Sequence, residues 1–414
     1  MPQSEVVAWL ATAAAREVAT PPEPMRTIRI SNDKLRDVSC PQRYEISGWL
    51  LAVSCWLLAI GCSALPLPIA PKYVHLHLDV KGSFFSPYLY TNMKLLITGG
   101  AGFIGSNLCE HFLREGHTVR CLDNFATGKP ANILPLLAAY PDRFELIVGD
   151  IRKLDDCRKA VDGMEYVLHE AALGSVPRSI KDPITTNEVN ISGFLNMLVA
   201  ARDAGIKRLV YAASSSTYGD SEKLPKVEEV IGRPLSPYAI TKYVDELYAD
   251  VFARTYGIET IGLRYFNVFG RRQDPHGAYA AVIPLFVKQL MAHEAPVING
   301  DGSYSRDFTY IDNVIQMNER ALTTTSPEAV NQVYNTAFGE RTTLNQLVDY
   351  LKENLSKHDP AIAAIEPKHG PNRVGDIPHS LACIDKAKRL LGYDPKYSMR
   401  QGLAACCDWY WENL

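Results

Sequence analysis

The stretch "MKLLITGGAGFIGSNLCEHFLREGHTVRCLDNF", residues 93–125, carries the reading that decides the fold. It begins with a short apolar run and turns through glycines. It continues as an amphipathic helix to near Gly116 and closes on a second apolar run, "TVRCLD". Gly99, Gly102 and Gly105 have G-x-x-G-x-x-G spacing, and Gly100, Gly102 and Gly105 also satisfy G-x-G-x-x-G. Between a strand and a helix, such glycines let the backbone approach a pyrophosphate at the helix N-terminus. Phe103 and Ile104 open that helix and are expected beside the same group. Asp123 ends the second strand, 18 residues after Gly105, where a carboxylate can accept hydrogen bonds from a ribose diol. Asn124, not an Arg, follows it, so the expected dinucleotide is NAD rather than NADP.

The alternation continues. "RFELIVGDI" reads as a third strand ending at Asp150, beside Ile151, and "EYVLHEAAL" as a fourth ending at Ala171 and Ala172. "KRLVYAASSSTYGD" is a fifth and "ETIGLRYFNVFG" a sixth, with helical segments between them. Strand and helix in alternation predict a doubly wound parallel sheet covered on both faces, an α/β fold. Ligands then gather at the carboxyl ends of the strands.

In "SPYAITKYVDE", residues 236–246, Tyr238 and Lys242 stand one helical turn apart on one face. A free phenol, with a pKa near ~10, is a poor base at neutral pH. A neighbouring ammonium and a cationic nicotinamide both favour phenolate. Such a tyrosine can take a proton from a substrate hydroxyl while hydride leaves the same carbon. Ser214 and Ser215, at the end of the fifth strand, are expected to orient that oxygen. Lys242 is also expected to hold the cofactor ribose. His169 reads as structural, and no metal-ligand spacing is present.

With 414 residues, the chain has room for one large or two modest domains. A formal net charge of -3 and the lack of a long basic run give no nucleic-acid surface. Nine cysteines without a C-x-x-C fit a reducing compartment better than a disulfide scaffold. The N-terminal part differs. Residues 46–71 carry no charge and are long enough to span a bilayer. Arg26, Arg29, Lys34, Arg36 and Arg43 precede them, which as a membrane span would put the rest of the chain outside the cytoplasm. A need for soluble dinucleotide argues the other way. The expectation is a cytoplasmic enzyme beginning near Met93, with residues 1–92 a dispensable extension and membrane contact only where 46–70 is retained.

The stretches "AALGSVPRSI", "YAASSSTYGD", "PLSPYAITKYVDELYADVF", "GLRYFNVFGRRQDP", "GAYAAVIP", "INGDGSYSRDFTYIDNV" and "RVGDIPHS" resemble the extended short-chain dehydrogenases/reductases of the nucleotide-sugar branch. More narrowly they resemble bacterial UDP-N-acetylglucosamine 4-epimerases of O-antigen and capsule pathways. The resemblance implies an NAD domain at 93–270, an interleaved UDP-sugar region at 271–414, and a homodimer formed through a helical bundle. It implies Tyr238 as base with Lys242 as its partner, and Ser214 and Ser215 near carbon 4 of the sugar. Asn267 is implied as a diphosphate or sugar contact. Arg306 and Arg373 are implied as the diphosphate clamp, Asp376 as a ribose contact, and Ala281, Val282 and Asn299 as surroundings of the nucleotide. Ser380 falls where galactose-only epimerases carry a bulky side chain, so a small residue leaves room for an N-acetyl group. Two positions depart from the pattern: Cys383 stands where the family often has Asp, and Asp312 where some relatives have Glu.

The reaction implied is NAD-dependent exchange of UDP-N-acetylglucosamine and UDP-N-acetylgalactosamine through a 4-keto intermediate. A 4,6-dehydratase is disfavoured, because "SSST" offers no carboxylate at the fifth strand end. A UDP-glucuronate decarboxylase or epimerase stays open. A non-catalytic NAD-binding protein has no use for the Ser, Tyr and Lys set.

Overall fold

The computed structural model describes residues 92–275, 281–371 and 377–414. The apolar segment at 46–70 lies outside the described residues. Among the described residues no helix is long and apolar enough to cross a membrane.

Seven parallel strands form the central sheet: β1 (Lys94–Thr98), β2 (Thr118–Asp123), β3 (Phe144–Val148), β4 (Tyr166–His169), β5 (Arg208–Ser214), β6 (Glu259–Tyr265) and β7 (Gln332–Thr336). Their spatial order is β7-β6-β5-β4-β1-β2-β3. The chain winds outward from β1 in both directions, which opens a crevice between β1 and β4 at their carboxyl ends.

The apolar runs become strands because both faces of each are buried. In β1, Leu95 and Ile97 enter one core and Leu96 the other. In β5, Val210 faces the first core and Leu209, Tyr211 and Ala213 the second. Helix α1 (Phe103–Arg114) covers the first face with Leu108 and Phe112. Helices α2 (Leu154–Val161), α3 (Gly193–Asp203) and α4 (Pro237–Tyr256) cover the second with Cys157, Phe194 and Phe252. Burying one such Leu or Phe contributes about 1.5–3 kcal/mol.

Strands three to six end earlier than the sequence suggests. β3 stops at Val148, β4 at His169, β5 at Ser214 and β6 at Tyr265. Gly149, Asp150, Glu170, Ala171, Ala172 and Asn267 therefore sit in loops just beyond the carboxyl ends of the strands. The seventh strand comes from beyond residue 270. Gln332–Thr336 pairs with Ile261–Tyr265 and closes the edge of the sheet.

Candidate active site

A cleft of about 450 Å³ runs along the carboxyl ends of β1, β2, β4 and β5. Its floor is the glycine turn. Gly99 has φ +68°, and a Cβ there would lie 2.8 Å from the Ala171 nitrogen. A Cβ on Gly105 would lie 2.2 Å from the Gly99 carbonyl oxygen. Only glycine allows this approach of turn to helix. The cradle thus stays open at the start of α1, where Phe103, Ile104 and Gly105 line the cleft. Their N–H groups precede the first helical hydrogen bond and carry the positive end of the dipole.

Asp123 stands at the far wall, nearly buried. Its Oδ2 accepts from the Ala101 N–H at 2.9 Å and its Oδ1 from the Phe125 N–H at 2.8 Å. Burial pushes its pKa up, and those backbone donors oppose the rise. Asn124 also lines the cleft, but its amide donates to Asp150 Oδ2 at 3.2 Å. Asp150 itself is not among the lining residues. Its carboxylate grips Arg152 through Nε at 3.1 Å and Nη2 at 2.6 Å, and this pairing holds it down at about 2. Arg152, Ile151, Ala171 and Ala172 line the cleft instead. An open glycine cradle, a helix N-terminus and a buried carboxylate 18 residues on fit a dinucleotide.

Tyr238, Lys242 and Ser214 line the same cleft. The Ser-Pro before Tyr238 has a structural reason. Ser236 Oγ caps α4 by accepting from the Ala239 N–H at 3.1 Å, and Pro237 takes the first helical position, where no N–H is needed. This start places Tyr238 and Lys242 over the end of β5. Lys242 Nζ donates to the Ala212 carbonyl at 2.9 Å and to Asp245 Oδ2 at 3.3 Å. Ser214 accepts from the Ser216 hydroxyl at 2.9 Å. Ser215 begins the following turn and is not among the cleft's lining residues. A π-helical segment, Glu188–Ser192, ties the loop after β4 to α4: Asn190 accepts from the Leu173 N–H at 2.8 Å and donates to Thr241 at 3.0 Å.

Glu170, which the sequence reading passes over, also lines the cleft. The Tyr265 hydroxyl donates to its Oε1 at 2.8 Å, and Asn318 donates to that hydroxyl at 2.9 Å. Burial lifts Glu170 to about 7. Only the one-residue offset from His169 could have flagged it. His169 faces Thr98 at 3.0 Å, and burial presses its pKa down to about 3, leaving a neutral ring in the sheet.

The expected sugar-nucleotide residues are spread more widely. Asn267 lines the cleft, with φ +32° and its amide on the Asp307 carbonyl at 3.2 Å. Arg306 and Ser380 sit on neighbouring backbones: the Ser380 N–H donates to the Ser305 carbonyl at 3.0 Å, and Arg306 Nη1 donates to the Pro378 carbonyl at 3.0 Å. Asp307 holds these segments together by accepting from the N–H groups of Phe338, Gly339 and Ala382. Ala281 and Val282 start the helix Val282–Met291, and Asn299 ends a short strand paired with Lys368–Gly370. Arg306, Ser380, Ala281, Val282 and Asn299 are not among the lining residues of the cleft. Arg373 and Asp376 lie outside the described residues.

The chain is similar to known proteins. Residues 95–337 match the family model for the NAD dependent epimerase/dehydratase family. The putative UDP-glucose 4-epimerase of Methanocaldococcus jannaschii is 35% identical over 321 residues, covering 77% of this chain and 99% of the relative. The UDP-glucose 4-epimerase of Thermotoga maritima, solved with UDP-glucose, has a TM-score of 0.70 at 35% identity, covering 77% of this chain and 99% of that one. The UDP-N-acetylglucosamine 4-epimerase of Methanobrevibacter ruminantium M1, solved with UDP-N-acetylmuramic acid, has a TM-score of 0.71 at 34% identity. It is covered over 100% of its length by 78% of this chain. A glycine cradle, a buried carboxylate and a Ser, Tyr and Lys set in one cleft thus coincide with the matched segment, and the chain belongs to the NAD dependent epimerase/dehydratase family.

Proposed function

We propose that the enzyme interconverts UDP-N-acetylglucosamine and UDP-N-acetylgalactosamine by inverting carbon 4, as a step toward surface polysaccharide. The observation that carries an oxidoreductive step is the convergence of Tyr238, Lys242 and Ser214 on the cleft that holds the glycine cradle. NAD held along the glycine cradle and Asp123 would supply the hydride acceptor and donor for carbon 4, and inversion would follow from the 4-keto sugar turning over between the two transfers. Tyr238 removes the proton of the 4-hydroxyl and gives it back. Ser214 orients that oxygen. Lys242, anchored on Ala212, keeps positive charge beside the phenol. The small Ser380, next to Arg306 across the Ser305 carbonyl, supports the N-acetyl reading over the plain hexoses that several relatives are named for.

On this reading residues 93–270 bind NAD, with β7 completing their sheet, and 271–414 bind the UDP-sugar. Arg306 and Arg373 clamp the diphosphate, and Asp376 meets the ribose. Residues 1–92 are dispensable. The protein works as a homodimer, because α4 leaves Ile240, Leu247 and Val251 exposed in one stripe. The adjoining helices Val176–Lys181 and Pro183–Asn187 add exposed Ile180 and Ile184.

The deciding experiment assays UDP-GlcNAc and UDP-Glc side by side, on the full chain and on a chain starting at Met93. A kcat/KM for UDP-GlcNAc at least equal to that for UDP-Glc supports the reading. A strong preference for UDP-Glc would reassign the substrate, and activity lost from Met93 onward would make the extension part of the enzyme.

A further inference from the structure

Asp245 takes part in no step above, yet it is buried against the catalytic lysine. It is 1% exposed, and its Oδ2 accepts from Lys242 Nζ at 3.3 Å. Its Oδ1 is buried without a hydrogen-bond partner among the described residues. Lys242, 3% exposed, has its other described bond on Ala212. Three residues apart on one helix, the two side chains leave α4 on the same face. At this depth neither charge is tolerated without its partner.

We propose that Asp245 is a positioning residue. It keeps Lys242 an ammonium, fixes Nζ against the end of β5, and so sets the pH range over which Tyr238 exchanges its proton. The inference rests on the assignment of Tyr238 and Lys242 given above.

The other carboxylates and cations around the pair have partners of their own. From α4 itself come Tyr238 and Glu246, from the end of β4 His169 and Glu170, from β5 Tyr211, and from β6 Arg264 and Tyr265. Arg264 takes both oxygens of Glu246, at 2.8 and 2.7 Å. Tyr265 donates to Glu170 at 2.8 Å, and His169 is neutral. The segment Glu188–Ser192 meets α4 through the uncharged Asn190–Thr241 bond. Asp245 is thus the carboxylate in hydrogen-bond contact with Lys242. Burial works against the charge on Lys242, but Asp245 first, then Tyr238 and Glu170, more than offset it and leave the lysine above its ordinary value. Burial raises Asp245 in turn, and Lys242 pulls it down, as expected of two opposite charges that hold each other in a dry site.

The test is the pH profile of kcat/KM for wild type, Asp245→Asn and Asp245→Glu. Asparagine keeps the shape and an acceptor oxygen but not the charge. In D245N an unpaired, buried Lys242 sheds its proton sooner, so the alkaline fall of kcat/KM begins about one pH unit lower or more. D245E restores the wild-type profile. A folded D245N whose profile does not move overturns the proposal. Should D245N melt before it can be assayed, the double variant K242M/D245N decides. With both charges gone no buried charge is left unpaired, and the double variant melts above D245N. A double variant that melts no higher than D245N assigns Asp245 to packing alone and also overturns the proposal. Full turnover by Tyr238→Phe would instead remove the base, while the melting comparison would still report the ion pair.

Discussion

Gly105 and Gly99 meet backbone to backbone, so closely that a β-carbon on Gly105 would sit 2.2 Å from the Gly99 carbonyl oxygen. Gly105→Ala must push the turn away from α1. Overpacking of this kind costs about 1–3 kcal/mol. NAD affinity should fall about ten- to a hundred-fold on the same scale, and the melting temperature should drop with it. Titration calorimetry and a thermal melt read both; unchanged binding would place the cofactor away from this turn.

Asp123 has a structural task beside its proposed ribose contact, since both carboxylate oxygens already hold backbone N–H groups. Asp123→Ala should weaken NAD and also leave two buried donors unpaired, at about 1–3 kcal/mol each. In the wild type, NAD should bind far better than NADP, because a 2′-phosphate would meet this carboxylate. Equal affinity for the two cofactors would refute that role.

Tyr238→Phe removes one hydroxyl from a helix whose cap and packing do not depend on it. It should fold and bind NAD normally, yet lose turnover about 10²-fold or more. Lys242→Ala should lose turnover and NAD affinity together. Near-normal epimerisation by the Phe variant would take Tyr238 out of the mechanism.

Glu170 provides a test through stability. Its folded pKa, about 7, lies above the ordinary carboxyl value because of burial. A raised value means that the folded chain holds the proton more tightly. The stabilisation is therefore complete below about pH 4 and is lost as pH rises toward 7. Glu170→Gln mimics the protonated form. Its melting temperature should gain on that of wild type between about pH 5 and pH 8, by an amount equivalent to about 1–3 kcal/mol. A constant difference across that range would mean that Glu170 is already ionised when folded.

Ser380→Tyr addresses the sugar. An overfilled pocket costs about 1–3 kcal/mol, so kcat/KM on UDP-GlcNAc and UDP-GalNAc should fall about ten- to a hundred-fold. UDP-Glc and UDP-Gal should be affected less. The ratio of acetylated to plain sugar cancels any general defect. A ratio that does not move would put the wall of the N-acetyl pocket elsewhere.

Local chemistry made much of this legible. The order β1, glycine turn, α1, β2 and Asp123 is contiguous, and each part has its own signature. Strand ends were less so, because the apolar run in "EYVLHEAAL" continues past the last ladder bond at His169. β7 was illegible: "QVYNT" is five residues long, largely polar, and becomes a strand only because β6 offers an unpaired edge. Adjacent serines 214 and 215 look alike in one dimension, and the turn after β5 separates them. Glu170 and Asp245 acquire meaning only through folding, when the loop after β4 sets Glu170 on Tyr265 and α4 sets Asp245 against Lys242.

The late arrival of β7 matters during synthesis. The edge of β6 is complete at Tyr265, but its partner begins at Gln332. At about 5–20 residues per second, the intervening chain takes roughly 3–13 s to emerge from the ribosome. Throughout that interval the nascent sheet offers a bare ladder edge to any other strand. The two regions cannot be exchanged as separable cassettes by cutting near residue 270, because the first would lose its outermost strand. Recombination that respects this protein has to carry residues 332–336 along with the dinucleotide half.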